Sequence, residues 1–363
     1  MPLRSKGILP GRLVWLTHHS TLLQNNPWGD PAVRRFPVWL PEGYDEAEST
    51  RRYPVFYGLA GYLGSGPSQV NWQPFNESIP ERVARLIQEG RMGPVILVFP
   101  DGFTRLGGNQ YIDSSALGSY GRYLHEELVP FIDGQFRTLA SPAHRGIFGK
   151  SSGGYGALMQ GAMTEVWGGV VSHAGDVGFD LVYRPEWSNT LDVLAHFAPL
   201  GGNSHDQQMR QRLLKNGCDD GRVSAFLNYL FQHEGPSSAQ TYALMNLGMA
   251  ATYDPDPEAP NGFRLPCHLH TGEWFPERWQ HWLDHDPLHM LVHHESALRR
   301  LRLLYLDCGW RDQYHLHYGT RQLSIVLNER GIPHEHHEFD GTHSGIDFRL
   351  DVSLPKLYAA LRG

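Results

Sequence analysis

Short apolar runs of strand length alternate with segments of helical periodicity along most of the chain. Leu13 to Thr17 and Val33 to Leu40 read as strands, and the turn-rich stretch Gln24 to Pro31 between them predicts an antiparallel hairpin at a sheet edge. Tyr53 to Ala60 and Pro94 to Pro100 are nearly continuous apolar runs, the pattern of strands covered on both faces. Glu81 to Glu89 places Val83, Leu86 and Ile87 at helical spacing, and Tyr120, Leu124, Leu128, Phe131 and Ile132 recur at three- and four-residue steps after the loop 101–121. A strand at Arg145 to Phe148, a helix opening near Gly154 and a strand running from Gly169 towards Asp176 follow. The rhythm returns with Leu301 to Asp307 (strand), Tyr314 to Arg330 (helix), His334 to Phe339 (strand) and Ser353 to Leu361 (helix). Such alternation predicts an α/β fold, a mostly parallel central sheet flanked by helices with right-handed crossovers. From about Phe179 to Glu295 the rhythm lapses into a segment rich in Trp, His, Pro and Asn. The expectation is one domain over 1–363, with 179–295 as a cap-like insertion over the sheet edge. No internal repeat or low-complexity tract is visible.

The stretch between the fifth strand and its helix is Gly149-Lys150-Ser151-Ser152-Gly153. Glycines two positions before and after a serine allow a sharp strand-to-helix turn, a nucleophile elbow, that lifts the hydroxyl above the carboxyl edge of the sheet. The first free N–H groups of the helix, beginning at Ser152, then point towards developing negative charge.

A serine hydroxyl needs a histidine to take its proton, and that histidine needs a carboxylate to fix its tautomer. The chain order expected with such an elbow is serine, acid, histidine. The last two strands are followed by Asp307-Cys-Gly-Trp-Arg-Asp312 and Asp340-Gly-Thr-His-Ser344, so Ser151, Asp312 and His343 all lie just past strand ends. Asp307, at the strand end itself, competes with Asp312 for the acid. His334, His336 and His337 read as positions on or beside a strand, whereas His343 sits on a loop beside Gly341. The loop Gly61 to Gly66 follows an apolar strand where a second oxyanion donor is needed, and the backbone N–H of Tyr62 joins that of Ser152 as the expected pair.

Composition narrows the setting. The 363 residues are 40% hydrophobic and 19% charged, and no apolar run reaches the ~18 residues of a membrane span. Residues 1–10 show no apolar export region, so the cytoplasm is the expected location. A formal charge of -7 speaks against nucleic acid or an anionic membrane as the main partner and leaves a small molecule. A homo-oligomer stays open. Cys218, Cys267 and Cys308 are odd in number and widely spaced, which favours reduced thiols over a disulfide framework or zinc ribbon. His281, His285, His289 and His293 fall at four-residue intervals, but Pro287 breaks a helix between the pairs, and no metal site is expected. Trp187, Trp274, Trp279 and Trp282, with Trp310 beside the acid loop, either line a substrate pocket or form the insertion's own core; Trp187, Trp274 and Trp310 are the pocket candidates. Lys150 reads as a strand-edge residue packing by its stem.

Taken together, Tyr53-Pro-Val-Phe-Tyr with Gly61, Phe99-Pro-Asp-Gly102, Gly107-Gly-Asn-Gln-Tyr111, Glu127 to Thr138 and Arg145 to Ala157 resemble the putative esterase family of α/β-hydrolases. That family includes esterase D, S-formylglutathione hydrolases, enterochelin esterases, feruloyl esterases and antigen 85 mycolyltransferases. The resemblance runs from about residue 30 to the C-terminus and thins through the insertion. It departs at Ala60, where many members carry His or Ser before the glycine. It implies an α/β-hydrolase fold, Ser151 as nucleophile, Asp312 as acid, His343 as base, Tyr62 and Ser152 as oxyanion donors, and no cofactor. The expected activity is cleavage of a carboxylic ester or thioester through an acyl-enzyme. Acyl transfer to an alcohol by the same residues, or a silent binding protein on the same fold, are the rival expectations.

Overall fold

The computed structural model describes residues 10–46 and 50–362. Most of the N-terminal stretch read above for an export signal, residues 1–9, lies outside the described residues. Eight strands form one sheet: β1 Arg12–His19, β2 Val33–Leu40, β3 Val55–Leu59, β4 Ile96–Val98, β5 Arg145–Lys150, β6 Gly169–His173, β7 Leu303–Gly309 and β8 Glu335–Phe339. Their order across the sheet is β1-β2-β4-β3-β5-β6-β7-β8. The first hairpin is antiparallel, from Arg12 opposite Leu40 to His19 opposite Val33, and β2 also runs antiparallel to β4. All other pairs are parallel. The predicted edge hairpin and parallel centre are both present.

Alternation within the central strands splits the core into two layers. Val55, Tyr57 and Ile147 face one apolar cluster, while Phe56 and Phe148 face the other, which is why β3 reads as an unbroken apolar run. On the second face pack α1 (Ile79–Gln88) and the closing helix Leu350–Leu361, through Val83, Leu86, Leu354 and Leu357. Each such buried side chain contributes roughly 1.5–3 kcal/mol. A capping box between Ser78 and Glu81 starts α1 two residues before the apolar spacing alone suggested. The amphipathic segment after Ser119 is one helical run with a π-turn at Tyr123–Leu128, followed by α2 (Val129–Gln135). The elbow helix is α3 (Ser152–Met163), and every residue from Ser152 to Ala162 is buried.

Between β6 and β7 no described residue joins the main sheet. This stretch folds as helices, chief among them α4 (Trp187–Ala195), α5 (Ser204–Lys215), α6 (Arg222–Gln232), α7 (Ser238–Tyr253) and α8 (Pro276–Leu283). The helix expected from Tyr314 begins as α9 at Leu316 and runs to Glu329, because His315 adopts a left-handed conformation with φ 61 at its N-cap. The closing helix, α10, begins at Leu350 rather than Ser353 and accommodates Pro355. No described helix is long and apolar enough to cross a membrane. The three cysteines are free and buried.

Candidate active site

Ser151 stands between β5 and α3 with φ 57 and ψ -128, a backbone region that side chains with a Cβ rarely adopt. Two hydrogen bonds hold it there: its N–H donates to the His173 carbonyl at 3.0 Å, and its own carbonyl accepts from the Tyr155 N–H at 2.9 Å. The flanking glycines are required by contact. A Cβ on Gly149 would lie 2.4 Å from the Gly153 carbonyl carbon, and one on Gly153 would lie 2.3 Å from the Leu59 oxygen. The turn therefore closes only with glycine at both positions.

The serine opens into a cavity of about 340 Å3. Ser152, Gly61, Tyr62 and His343 share that cavity with Ser151; the segment after β6 contributes Val182, Tyr183, Thr241, Tyr242 and Met245, and the acid loop contributes Tyr314 and Leu316. Nδ1 of His343 lies 2.8 Å from Oδ2 of Asp312. Burial opposes the charge on Asp312, but the hydrogen bond to His343 and the charge of its ring outweigh it, holding the carboxyl below its ordinary value. An ionised carboxylate can only accept, so the ring carries its proton on Nδ1 and leaves Nε2 open. The second oxygen of Asp312 accepts the Tyr314 N–H at 2.8 Å, and the His343 N–H donates to Oε1 of Gln313 at 2.9 Å. Both loops are thereby tied to each other. These are the parts that general-base activation of a hydroxyl requires.

The motif Gly107 to Tyr111 packs against the loop that follows β3. The Tyr62 ring drops into the core, its hydroxyl donating to the Leu106 carbonyl with the Leu244 carbonyl 3.1 Å away. A Cβ on Gly108 would come within 2.2 Å of the Tyr62 carbonyl oxygen, so the two loops touch through backbone. Tyr111 donates its hydroxyl to the Ala60 carbonyl at 2.8 Å. Ser152 is the first residue of α3, and its N–H has no earlier carbonyl in the helix to bond.

Asp307 is engaged elsewhere. Register pairs it with His173 across β6 and β7, and their side chains meet at 2.6 Å, with Arg349 Nε 2.8 Å from the other carboxylate oxygen and the Tyr305 hydroxyl 3.0 Å from it. The far nitrogen of His173 accepts from the Ser353 hydroxyl at 2.9 Å, a second serine–histidine–aspartate chain, all of it buried. Asp176, absent from the sequence reading as a site residue, lines the cavity and contacts Ser152 Oγ at 3.3 Å. Its position past a strand's carboxyl end was the available signal.

The tryptophans do not line this cavity. Trp187, Trp279 and Trp282 are buried against one another with Tyr183 and Tyr253, Trp274 packs edge-on to Trp279, and together they form the core of the helical segment. Trp310 is 48% exposed beneath the Arg311 guanidinium. The expectation of Trp187, Trp274 and Trp310 as pocket residues is corrected accordingly: their large apolar surfaces serve burial within the segment, or sit at the surface. His281 bonds Asp254 at 2.6 Å, and His289 and His293 belong to separate short helical turns after Pro287. No group of metal-holding side chains occurs among the described residues. Lys150 lies at the wall of the same cavity, its pKa lowered by burial against the pull of Asp347 and Asp312.

Strand order, elbow and helical layers define an α/β-hydrolase. The chain belongs to the "Putative esterase" family, whose pattern matches residues 32–356. An endo-1,4-beta-xylanase/feruloyl esterase of Xylanibacter ruminicola is 28% identical over 141 residues, which is 38% of this chain and 19% of the relative's length. A solved ferulic acid esterase superposes with a TM-score of 0.57 at 17% identity, covering 97% of this chain and 100% of its own. The fluorophosphonate-binding serine hydrolase F of Staphylococcus aureus gives 0.55 at 14% identity over 98% and 99% of the two chains. S-formylglutathione hydrolase from the same organism gives 0.53 at 12% over 97% and 99%. At such identities the superpositions speak for the fold.

Proposed function

We propose that the chain hydrolyses a small-molecule carboxylic ester or thioester through an acyl-enzyme on Ser151. His343 takes the serine proton on Nε2 as the hydroxyl attacks the carbonyl carbon, and Asp312 stabilises the imidazolium that results. The N–H groups of Tyr62 and Ser152 receive the oxyanion. Collapse of the tetrahedral intermediate expels the alcohol or thiol, which leaves with the proton from His343. Water, deprotonated by the same ring, then releases the acid and restores Ser151. No step calls on a cofactor. The helical segment 179–295 acts in this reading as a cap-like insertion in a single hydrolase domain, supplying one wall of the cavity.

The observation that carries the proposal is the opening of a strained, glycine-flanked serine into the same cavity as a histidine whose other nitrogen is held by a buried carboxylate. The test is hydrolysis of p-nitrophenyl esters from acetate to long chains, with S-formylglutathione as a thioester, by wild type and Ser151→Ala. Turnover abolished by the substitution supports the mechanism. A new ester formed from added alcohol in competition with water would turn the reading to acyl transfer. A folded protein whose Ser151 ignores a fluorophosphonate would turn it to a binding role.

A further inference from the structure

One wall of the cavity presents a carboxyl that the proposed mechanism leaves unused. Asp176 follows β6 and is 5% exposed, yet it borders the cavity that holds Ser151 and His343. All its hydrogen bonds gather on one oxygen: Oδ2 lies 2.7 Å from the Tyr183 hydroxyl, 3.1 Å from Gln110 Nε2 and 3.3 Å from Ser152 Oγ. Oδ1 has no hydrogen-bond partner among the described residues, and it is not among the buried atoms sealed away from open space. Gln110, itself buried, likewise has an Oε1 without a partner among the described residues.

A carboxyl in such a place is costly to the fold, because burial strips its hydration and only one of its oxygens is repaid by partners. An apolar side chain of the same size would fill the space more cheaply. Instead, Gln110 from the loop after β4 and Tyr183 from the segment after β6 converge to set its orientation. The carboxyl is thus held in one orientation through Oδ2, while Oδ1 keeps no protein partner among the described residues.

The chemistry of its partner follows by elimination. An anion would be repelled. A cation would compete with the charge that His343 acquires in each turnover. Burial, moreover, raises the Asp176 pKa despite the lowering effect of Tyr183, Gln110 and the His343 charge, which disfavours a standing ion pair. A neutral donor that can also accept, a hydroxyl, suits a carboxyl in either state of protonation.

We propose that Asp176 is a specificity-determining residue that receives a hydroxyl of the substrate, so that hydroxyl-bearing esters are selected over their deoxy counterparts. This rests on the esterase reading of the same cavity. The hydroxyl belongs to an aryl ring or to an aliphatic chain, and two matched pairs distinguish these: methyl 4-hydroxycinnamate with methyl cinnamate, and methyl 3-hydroxybutyrate with methyl butyrate.

Binding is measured first in Ser151→Ala protein, where nothing is consumed, and kcat/KM ratios are then measured with Ser151 present. With Asp176 intact, one hydroxylated ester should bind at least about tenfold more tightly than its partner, and Asp176→Leu should bring that preference to about one. Tyr183→Phe, which frees the carboxyl to turn, should reduce it severalfold. Equal binding within both pairs, or a preference that survives Asp176→Leu, overturns the proposal. Should the leucine variant fail to fold, a preference undiminished in both Asp176→Asn and Tyr183→Phe overturns it as well. A binding preference that depends on Asp176, without turnover of any ester, would retain the recognition site and overturn only the esterase reading.

Discussion

Two serine–histidine–aspartate arrangements stand at the carboxyl end of one sheet, and they differ in almost everything except residue type. In the first, the buried Asp312 holds His343 at 2.8 Å, and His343 faces a cavity with Ser151. In the second, Asp307 holds His173 at 2.6 Å, and the far ring nitrogen accepts from Ser353. Ser353 lies in the first turn of α10 and is 0% exposed, so no carbonyl carbon can reach it. Asp307 is further bound by Arg349, so the second set is a compensated structural network that clamps β6, β7 and α10. The first set has a strained serine, an open ring nitrogen and orphan N–H groups beside it. Chemistry at such a site depends on access and on preorganised donors as much as on the three side chains.

Substitutions can break this comparison at either end. The largest expected effect is on turnover: Ser151→Ala should lower kcat by a factor on the order of 10^5 or more with an unchanged unfolding midpoint, read by ester hydrolysis beside circular dichroism. Asp312→Asn should cost roughly 10^3 to 10^4 in kcat, since the amide presents a donor to Nδ1 and favours the wrong tautomer. An equal loss of activity in folded Asp307→Asn would reverse the assignment of the acid.

For the second set the effect moves from rate to stability. Asp307→Asn leaves the half-buried Arg349 without its counter-charge and should destabilise by about 1.5–3 kcal/mol in urea denaturation. The pH dependence should follow. Asp307 and Asp312 both ionise more readily folded than unfolded: burial opposes their charge, but His173 with Arg349 in one case and His343 in the other outweigh it. The unfolded chain takes up protons near the ordinary carboxyl value of about 4, the folded chain only below it. Their contribution is therefore complete above that value and is lost as pH falls through the folded pKa. Urea midpoints between pH 6 and pH 3 should show a shallower acid limb in Asp307→Asn than in wild type. The smallest effect belongs to Ser353→Ala, which removes one buried hydrogen bond and should cost about 1 kcal/mol in stability with kcat within about twofold of wild type.

The sheet was legible because its signals are local. Val55 and Tyr57 on one face and Phe56 on the other leave no polar position in β3, and that pattern needs no knowledge of partners. Helix boundaries slipped where a cap or a left-handed residue, such as Ser78 or His315, overrode periodicity. The segment between β6 and β7 was harder. Its tryptophans could serve a pocket or a core, and only the packing of Trp187 on Trp282 and of Trp279 on Trp274 shows that they pack among themselves.

The elbow was determined by sequence alone, because the glycines at 149 and 153 answer a steric demand within five residues of chain. The order of Ser151, Asp312 and His343 past successive strand ends was equally readable. Which carboxylate meets which histidine was decided only in three dimensions: parallel register sets His173 opposite Asp307, residues 134 apart in sequence, and leaves Asp312, on the loop beyond, to His343. The same is true of Asp176, whose significance comes from Gln110, 66 residues earlier, and from the cavity they border together. Short-range sterics are written in neighbouring residues, whereas the pairing of buried polar groups depends on how distant strands align.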